Sequence, residues 1–162
     1  MSQPRFIRGS ELLVFAPESA SVIGSSASAL TAIACETDCT LTLNVNPIET
    51  TSKCSGKWNA SMPDTLGWNI SCNYLYCNHV DMLMKAAIDR TTLHVTFAVA
   101  SGTESGNVVT HTPVHTLDGD DFAWYEGDVW ISSLSMQGTN GSEATFSVEF
   151  TGTGALTQVL KS

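Results

Sequence analysis

Two of the chain's histidines have the spacing of zinc ligands, but the segment that carries them does not suit a metal site. His111 and His115 form an H-x3-H pair, a spacing that presents two imidazoles on one face of a helix. Pro113 lies between them, and the segment is predicted to be extended. The two rings are therefore not expected to converge on one ion, and we interpret both residues as loop histidines.

The five cysteines also lack the spacing of a zinc knuckle. Cys35-x3-Cys39 and Cys72-x4-Cys77 are not C-x2-C motifs, and Cys72 and Cys77 would point to opposite faces of a regular strand. Because the number is odd and a chain of this length does not need bridges, we predict free thiols in a reducing compartment. No metal or other cofactor is expected.

An acidic stretch follows the histidines and does not match a known catalytic or calcium motif. Its carboxylates lie at Asp118, Asp120, Asp121, Glu126 and Asp128, an order that departs from the ligand positions of an EF-hand loop. The sequence also contains no nucleophile elbow, P-loop or dinucleotide fingerprint. An enzyme is therefore not predicted, and we interpret the stretch as a solvated or inter-subunit acidic loop.

The charge and hydrophobicity of the chain limit the kinds of molecule that it can bind. The 162 residues suit a single domain spanning 1–162, and only 14% of them are charged, about half the usual share. The net charge of −9 disfavours tight binding to phosphate backbones and to anionic membranes. No apolar window is long enough to cross a bilayer. The chain begins with Met and lacks an apolar signal core, so an intracellular product is expected.

Alternating hydrophobicity predicts that most of the chain forms β-strands. In the stretch W-N-I-S-C-N-Y-L-Y, an apolar face alternates with a face rich in amides and hydroxyls. The apolar set is Trp68, Ile70, Cys72, Tyr74 and Tyr76, and the polar set is Asn69, Ser71 and Asn73. Residues 40–45 alternate in the same way, with Leu41, Leu43 and Val45 expected to point inward and Pro47 to end the strand.

One helix is expected among the strands. Asn78 would cap its start, and its apolar stripe would consist of Val80, Leu83, Met84, Ala87 and Ile88. Strands would resume at Thr92, break at a turn over 101–106, and resume again over 108–114. The predicted fold is mainly β, an antiparallel β-sandwich or half-barrel with one flanking α-helix.

The last third of the chain predicts two further strands. The first covers 127–136, where a slip in the alternation at Ser132-Ser133 indicates a β-bulge. Asn140-Gly141 then predicts a type I′ hairpin turn. The second strand follows, with Phe146, Val148 and Phe150 on its apolar face.

Several short motifs, taken in order, resemble those of the major tail protein, or tail tube protein, of long-tailed bacteriophages. They are I-E-T-T-S-K, S-G-K-W-N-A-S-M-P, L-G-W-N-I-S-C, G-D-V-W-I-S-S-L-S and A-T-F-S-V-E-F-T-G-T-G-A-L-T. The resemblance extends from about residue 12 to residue 157. The region 103–126 departs from the family pattern because it is longer and more acidic.

The resemblance implies a structural protein of the virion tail that assembles in the host cytoplasm. Six copies would form a ring around a shared β-barrel, and the rings would stack into a hollow tube for genome passage. The implied partners are other copies of the chain, a tape-measure protein and tail-tip or terminator proteins, and DNA would pass without specific binding. Membrane partners are not expected, and the first ten residues are expected to be flexible.

The resemblance also suggests roles for individual residues. The polar strand faces would line the lumen, through Thr40, Thr42, Asn44, Asn69, Ser71 and Asn73. A loop over about 49–63 would reach the neighbouring ring. Its contact residues would be Lys53, Lys57, Trp58 and Met62, and their acidic counterparts on the neighbour would be Asp118, Asp120 and Asp121.

Two alternatives remain open at this point. One is the tube protein of a contractile injection or secretion system, which shares the fold. The other is a β-sandwich module that binds a sugar or a peptide through Trp124, Tyr125 and Trp130.

Overall fold

The computed structural model describes residues 6–17, 30–32, 36–52, 56–76, 80–106, 108–117 and 119–161. A short 3-10 turn, Gly9–Glu11, precedes the first strand. The strands are β1 (Leu12–Pro17), β2 (Leu30–Ala32), β3 (Glu36–Glu49), β4 (Ser61–Leu75), β5 (Leu93–Ser105), β6 (Val108–Pro113), β7 (Thr116–Leu117), β8 (Asp120–Asp121), β9 (Trp124–Gln137) and β10 (Thr145–Val159). The helix α1 spans Val80–Ile88, and no described helix is long and apolar enough to cross a membrane.

Eight of the strands form one antiparallel sheet that curls on itself. The strand order is β2-β1-β5-β9-β10-β4-β3, and β6 pairs with β5, while β7 and β8 form a small separate ribbon. The sheet curls far enough for the Cys39 thiol on β3 to lie 3.6 Å from the Leu12 carbonyl oxygen on β1, its hydrogen-bond acceptor. The prediction of a mainly β, antiparallel fold with one helix is confirmed, and its form is closer to a half-barrel than to two separate sheets.

The main core fills the concave side of the curled sheet. On β4 the residues Trp68, Ile70, Cys72 and Tyr74 are buried, as their alternation predicts. Phe146, Val148 and Phe150 on β10 stand beside them, because Tyr74 pairs with Phe146, Cys72 with Val148, and Ile70 with Phe150. Burial of each such side chain contributes about 1.5–3 kcal/mol, so these matched apolar rows fix the register of the two strands.

A second, smaller core lies on the opposite face of β1 and β5. It consists of Leu13, Phe15, Ala98 and Ala100, with Trp124 packed against them. The connection between β6 and β9 covers this face, since the Trp124 indole N–H donates to the Val114 carbonyl at 3.0 Å and the ring stacks on His115 at 3.9 Å. β5 is therefore buried on both faces along its first half.

The helix position is confirmed, but its buried stripe is shifted from the predicted one. Leu83 and Ala86 are buried, whereas Ile88 is 71% exposed. The helix has only nine residues and covers the sheet with its middle, so its last turn extends past the packed region. The predicted cap, Asn78, lies outside the described residues.

Three boundary predictions are wrong. Of the turn predicted over 101–106, residues 101–105 continue β5, because they pair with β6 up to Ser105 opposite Val108, and only Gly106 lies in a turn. Pro47 does not end β3; the strand continues to Glu49 past an irregularity between Asn46 and Pro47. Tyr76, expected on the apolar face, follows the end of β4 and is exposed.

The orientation predicted for the apolar residues of β3 is confirmed, but two of the three are not buried. Leu41 packs partly against the core, but Leu43 is 54% exposed and Val45 is 49% exposed. Both share the core-side face with Trp68 and Leu66, their cross-strand partners. The strand pair extends beyond the end of the core, so the same apolar face continues without a cover.

The two special backbone features predicted near the C-terminus have different outcomes. The bulge is confirmed, because Ser133 pairs with Glu149 and Ile131 with Phe150, which leaves Ser132 as the extra residue. The hairpin turn is present, but it is not type I′. Gly141 has a positive φ of 86° and Asn140 does not, and the Ser142 N–H donates to the Thr139 carbonyl. One positive φ, at the third position, is the pattern of a type II turn.

Trp68 lies directly over two glycines, and the three residues form a tight contact. A Cβ added to Gly152 would lie 2.2 Å from an indole ring atom of Trp68, and one added to Gly127 would lie 2.6 Å from another. The indole N–H donates to the Gly154 carbonyl at 3.1 Å, where β10 bulges and Gly154 has a φ of 78°. The G-T-G segment of β10 is therefore shaped around this indole.

Arg90 ends α1 in an unfavourable conformation, which leads to a stability prediction. Its φ is 55°, and the bonds from Arg90 N–H to the Ala87 carbonyl and from Thr91 N–H to the Ala86 carbonyl form a Schellman motif. Glycine is preferred at this position because it has no Cβ. We expect Arg90→Gly to raise the free energy of unfolding by about 1 kcal/mol, measured by chemical denaturation. A loss of stability in Arg90→Gly would contradict this assignment.

Candidate functional site

The six residues proposed to line the lumen share one exposed face of the β3–β4 pair. Thr40 stands opposite Ser71, and Thr42 stands opposite Asn69. The Asn44 amide donates to the Asn69 side-chain oxygen at 3.3 Å, and the Asn73 amide donates to the Asp38 carboxylate at 2.8 Å. All lie on the side of the sheet away from the core, and we call this surface the polar face.

The polar face continues across β10 and β9, whose residues were not predicted to line the lumen. On β10, Ser147 stands opposite Asn73 and Glu149 opposite Ser71. The Ser147 hydroxyl donates to the Asn73 side-chain oxygen at 2.7 Å. On β9, Ser135 and Ser133 pair with these two β10 residues in turn. The alternation from Phe146 to Phe150 could have predicted that the polar face extends onto β10, because every second residue there is polar.

Charge on the polar face has one sign. None of the residues in β3, β4, β9 and β10 is Lys or Arg, although these strands make up a large part of the chain. Glu149 is exposed near the middle of the face, and Asp38 and Asp128 lie toward its edges. The face is therefore neutral to acidic, and it offers hydroxyls and amides but no cation to a phosphate backbone.

The four strands that carry the polar face have two free edges within the described part of the chain. β3 pairs with β4 on one side only. β5 meets β9 only along 125–129, so the segment 130–137 of β9 pairs with β10 alone. Because neighbours are antiparallel along β3-β4-β10-β9, the two free edges run in opposite directions. Such edges are competent to pair with each other between copies.

The end of the β3–β4 pair forms an exposed arm. Trp58 at its tip is 84% exposed, and Lys57 and Met62 are also exposed. The loop predicted over 49–63 is shorter than expected, since Glu49 still pairs with Ser61 and Met62 lies on β4 opposite Ile48. Thr50 N–H donates to the Ala60 carbonyl and closes the ladder. Lys53 lies outside the described residues.

Two of the three acids proposed to meet that arm, Asp120 and Asp121, form β8, far along the chain. Asp121 accepts hydrogen bonds from the Thr116 hydroxyl at 2.7 Å and from Lys161 at 2.9 Å. These two bonds, the Thr116 bond first, lower the pKa of Asp121 below its usual value. Asp120 is partly exposed on the same ribbon. Asp118 lies outside the described residues, and none of the contacts between described residues brings the arm to Asp120 or Asp121.

The aromatic residues proposed for ligand binding do not form one surface. Trp124 is held under His115, and Trp130 is exposed on the same face of β9, but Tyr125 points to the opposite face by strand alternation. Within the described residues, no group of three or more His, Cys, Asp or Glu side chains could hold a metal ion. The His115 ring nitrogen contacts the Phe122 carbonyl at 3.1 Å.

Several known proteins are similar to this chain in sequence pattern or in fold. A family profile described as "Phage tail tube protein" matches residues 20–158. A chain from the tail of an empty gene transfer agent particle, refined with C6 symmetry, has a TM-score of 0.71 at 15% identity and covers 97% of this chain and 100% of its own. A chain from the virion of a native gene transfer agent particle has a TM-score of 0.67 at 14% identity, covering 95% and 99%.

A third similar structure is the SPP1 tail tube, with a TM-score of 0.62 at 10% identity, covering 96% of this chain and 80% of that one. No curated protein sequence matches the chain. The low identities establish a shared fold, and the family profile covers most of the chain. The chain belongs to the phage tail tube protein family.

Proposed function

We propose that this protein is the subunit of a hollow virion tail tube, in which copies form rings and the rings stack around a channel for DNA. The observation that carries the proposal is the four-stranded unit β3-β4-β10-β9, which combines a polar face without basic residues and two free edges of opposite direction. The C6 symmetry of the similar gene transfer agent tail supports six copies in each ring.

Ring closure would follow from pairing of the β3 edge of one copy with the 130–137 edge of its neighbour. The two edges are antiparallel, so the pattern of alternating strand directions would continue from copy to copy without a break. Each copy adds four strands, and a closed barrel leaves no unpaired edge inside the ring. The apolar core and α1 would then lie outside the barrel, and the polar face would line the channel.

A channel lined in this way suits DNA passage. Phosphate binding by proteins depends mainly on Lys and Arg, which the four strands lack. Thr40, Thr42 and Asn44 with Asn69, Ser71 and Asn73 would supply a neutral wall. Glu149 would add a carboxylate at the centre of that wall in every copy. Such a wall would repel the phosphates or bind them only weakly, so DNA would slide through the channel without a preferred stopping point.

The exposed arm would contact the adjacent ring. Trp58 and Met62 offer apolar side chains there, and Lys53 and Lys57 offer positive charge in a chain of net charge −9. Their proposed counterparts are Asp118, Asp120 and Asp121 of a copy in that ring. We also propose that the assembled tube contains a tape-measure protein, ends at tail-tip and terminator proteins, and is built in the host cytoplasm.

Electron microscopy of the purified protein over a series of concentrations and salt levels tests this function. We expect rings with a central hole and, at higher concentration, stacked tubes. Charge reversal at both Lys53 and Lys57 should leave single rings but reduce stacking, because it changes the arm and not the ring edges. Glu104→Lys on β5 serves as a control for added surface charge. Compact particles without a central hole would contradict the function, and normal stacking of the double variant would contradict the role of the arm.

A further inference from the structure

A cavity of about 490 Å³ lies at the Trp130 end of the free edge of β9, which covers residues 130–137. Its walls come from the end of α1, the connection from α1 to β5, β9 and β10, and include Ala86, Ala87, Arg90, Trp130, Ile131 and Thr153. Trp130 is the first residue of the free edge, because Val129 before it still pairs with Leu93 of β5. The cavity therefore lies beside the first residue of β5, where the pairing of β9 with β5 ends, and this is also the place where a strand from another copy would begin to pair.

The chain itself carries apolar side chains that match this cavity. Val45 and Leu43 are about half exposed on the core-side face of β3, and no described residue of the same subunit covers them. They are the last core-side residues before Pro47, which has no N–H to donate to a neighbouring strand. Pairing of the free β3 edge should therefore end near Asn46, and Val45 would be the last core-side residue of the paired segment.

We propose that Val45 of one copy, with Leu43 beside it, fills the cavity between α1 and β9 of the next copy in the ring. The Val45 end of the pairing-competent part of β3 would meet the Trp130 end of the free edge of β9. Val45 lies on the core side of the sheet, as do Ile131 and α1 at the cavity. The remaining wall of the cavity comes from Trp130 and Thr153, which lie on the polar face. This inference rests on the proposed ring, and it adds the specific apolar contact that holds neighbouring copies together.

Arg90 makes the proposed contact sensitive to the sign of a charge introduced on the neighbouring copy. Its side chain lines the cavity, is exposed, and has no ion pair with any described residue. It also occupies the positive-φ position that glycine would fill more easily. A charge placed at position 45 of the neighbouring copy would therefore meet the guanidinium directly, and the effect would depend on its sign.

A charge-swap experiment tests the contact under conditions in which the wild-type protein forms rings. We expect Val45→Lys to raise the concentration required for half-maximal ring formation about tenfold or more, because a buried ammonium would face Arg90. Adding Arg90→Glu should restore most of the loss, since the two new side chains would pair. Val109→Lys is the matched control: Val109 is 51% exposed on β6, and the same change there should leave assembly unaltered.

Ring formation is measured by sedimentation and electron microscopy, and folding of each subunit by circular dichroism, so that misfolding is detected separately. Ring formation by Val45→Lys at the wild-type concentration would overturn the proposed contact, as would a double variant in which the two effects simply add. Either result would leave the ring itself intact, because wild-type rings are measured in the same series.

Discussion

Replacing Gly152 with alanine is expected to lower the free energy of unfolding by about 3–5 kcal/mol. The new Cβ would lie 2.2 Å from the Trp68 ring, and the ring cannot easily move because its N–H is bonded to the Gly154 carbonyl and its surroundings are buried. The collision is with the rigid centre of an indole and not with a flexible side-chain end. Either Trp68 leaves its place in the core, or β10 separates locally from β9 and β4.

Gly67→Ala is the matched control for this prediction. Gly67 directly precedes Trp68 on β4, but a Cβ added there meets no atom within 4 Å. Its effect on unfolding should stay within about 1 kcal/mol, since it mainly restricts the unfolded chain. Urea denaturation followed by circular dichroism compares the two variants. If both unfold at the same denaturant concentration, the contact between Trp68 and Gly152 is not a source of stability.

Replacing Glu149 with lysine is expected to impede DNA movement through assembled tails. The substitution reverses a charge at the centre of the polar face in every copy, so the channel of the proposed tube would acquire repeated rings of ammonium groups. Phosphate contacts of this kind bind strongly at low salt and weaken steeply as salt rises. DNA release from particles built with Glu149→Lys should slow about tenfold or more at low salt and recover toward the wild-type rate at about 0.5 M salt.

Glu104→Lys again provides the comparison, because Glu104 is exposed on β5, outside the four strands of the polar face. The same charge change there should alter release little. The measurement is the rate of DNA release over a salt series, with particle numbers and tail lengths checked by electron microscopy. Unchanged release from Glu149→Lys particles at low salt would argue that Glu149 faces away from the channel.

Alternation in the sequence was sufficient to identify which residues share a face, but not whether that face is covered. On β4 and β10 the apolar residues from Trp68 to Tyr74 and from Phe146 to Phe150 are buried as predicted. Leu43 and Val45 follow the same pattern and are exposed, because β3 and β4 extend past the end of the core. A cover supplied by another copy leaves no trace in the alternation of a single chain.

Turn-forming composition was the least informative signal. Residues 101–106 contain Ser, Gly and Thr, yet all but Gly106 extend β5, because β6 returns directly alongside and supplies a ladder of partners. Pairing with a neighbour outweighed the local preference. The bulge at Ser132 was predictable because the break occurred within one strand, where the inward and outward positions visibly exchange. The glycines under Trp68 were not, since their partner is distant in sequence.

The curl of the sheet has a consequence for the order of folding and assembly. The sheet bends toward its main core until β3 approaches β1, with the Cys39 thiol bonded to the Leu12 carbonyl. One subunit therefore encloses this core by itself, and the polar face and both free edges lie on the outside of the curl. The proposed rings would then form by docking of subunits that are already folded, so the entropy of ordering each chain is lost before two copies meet.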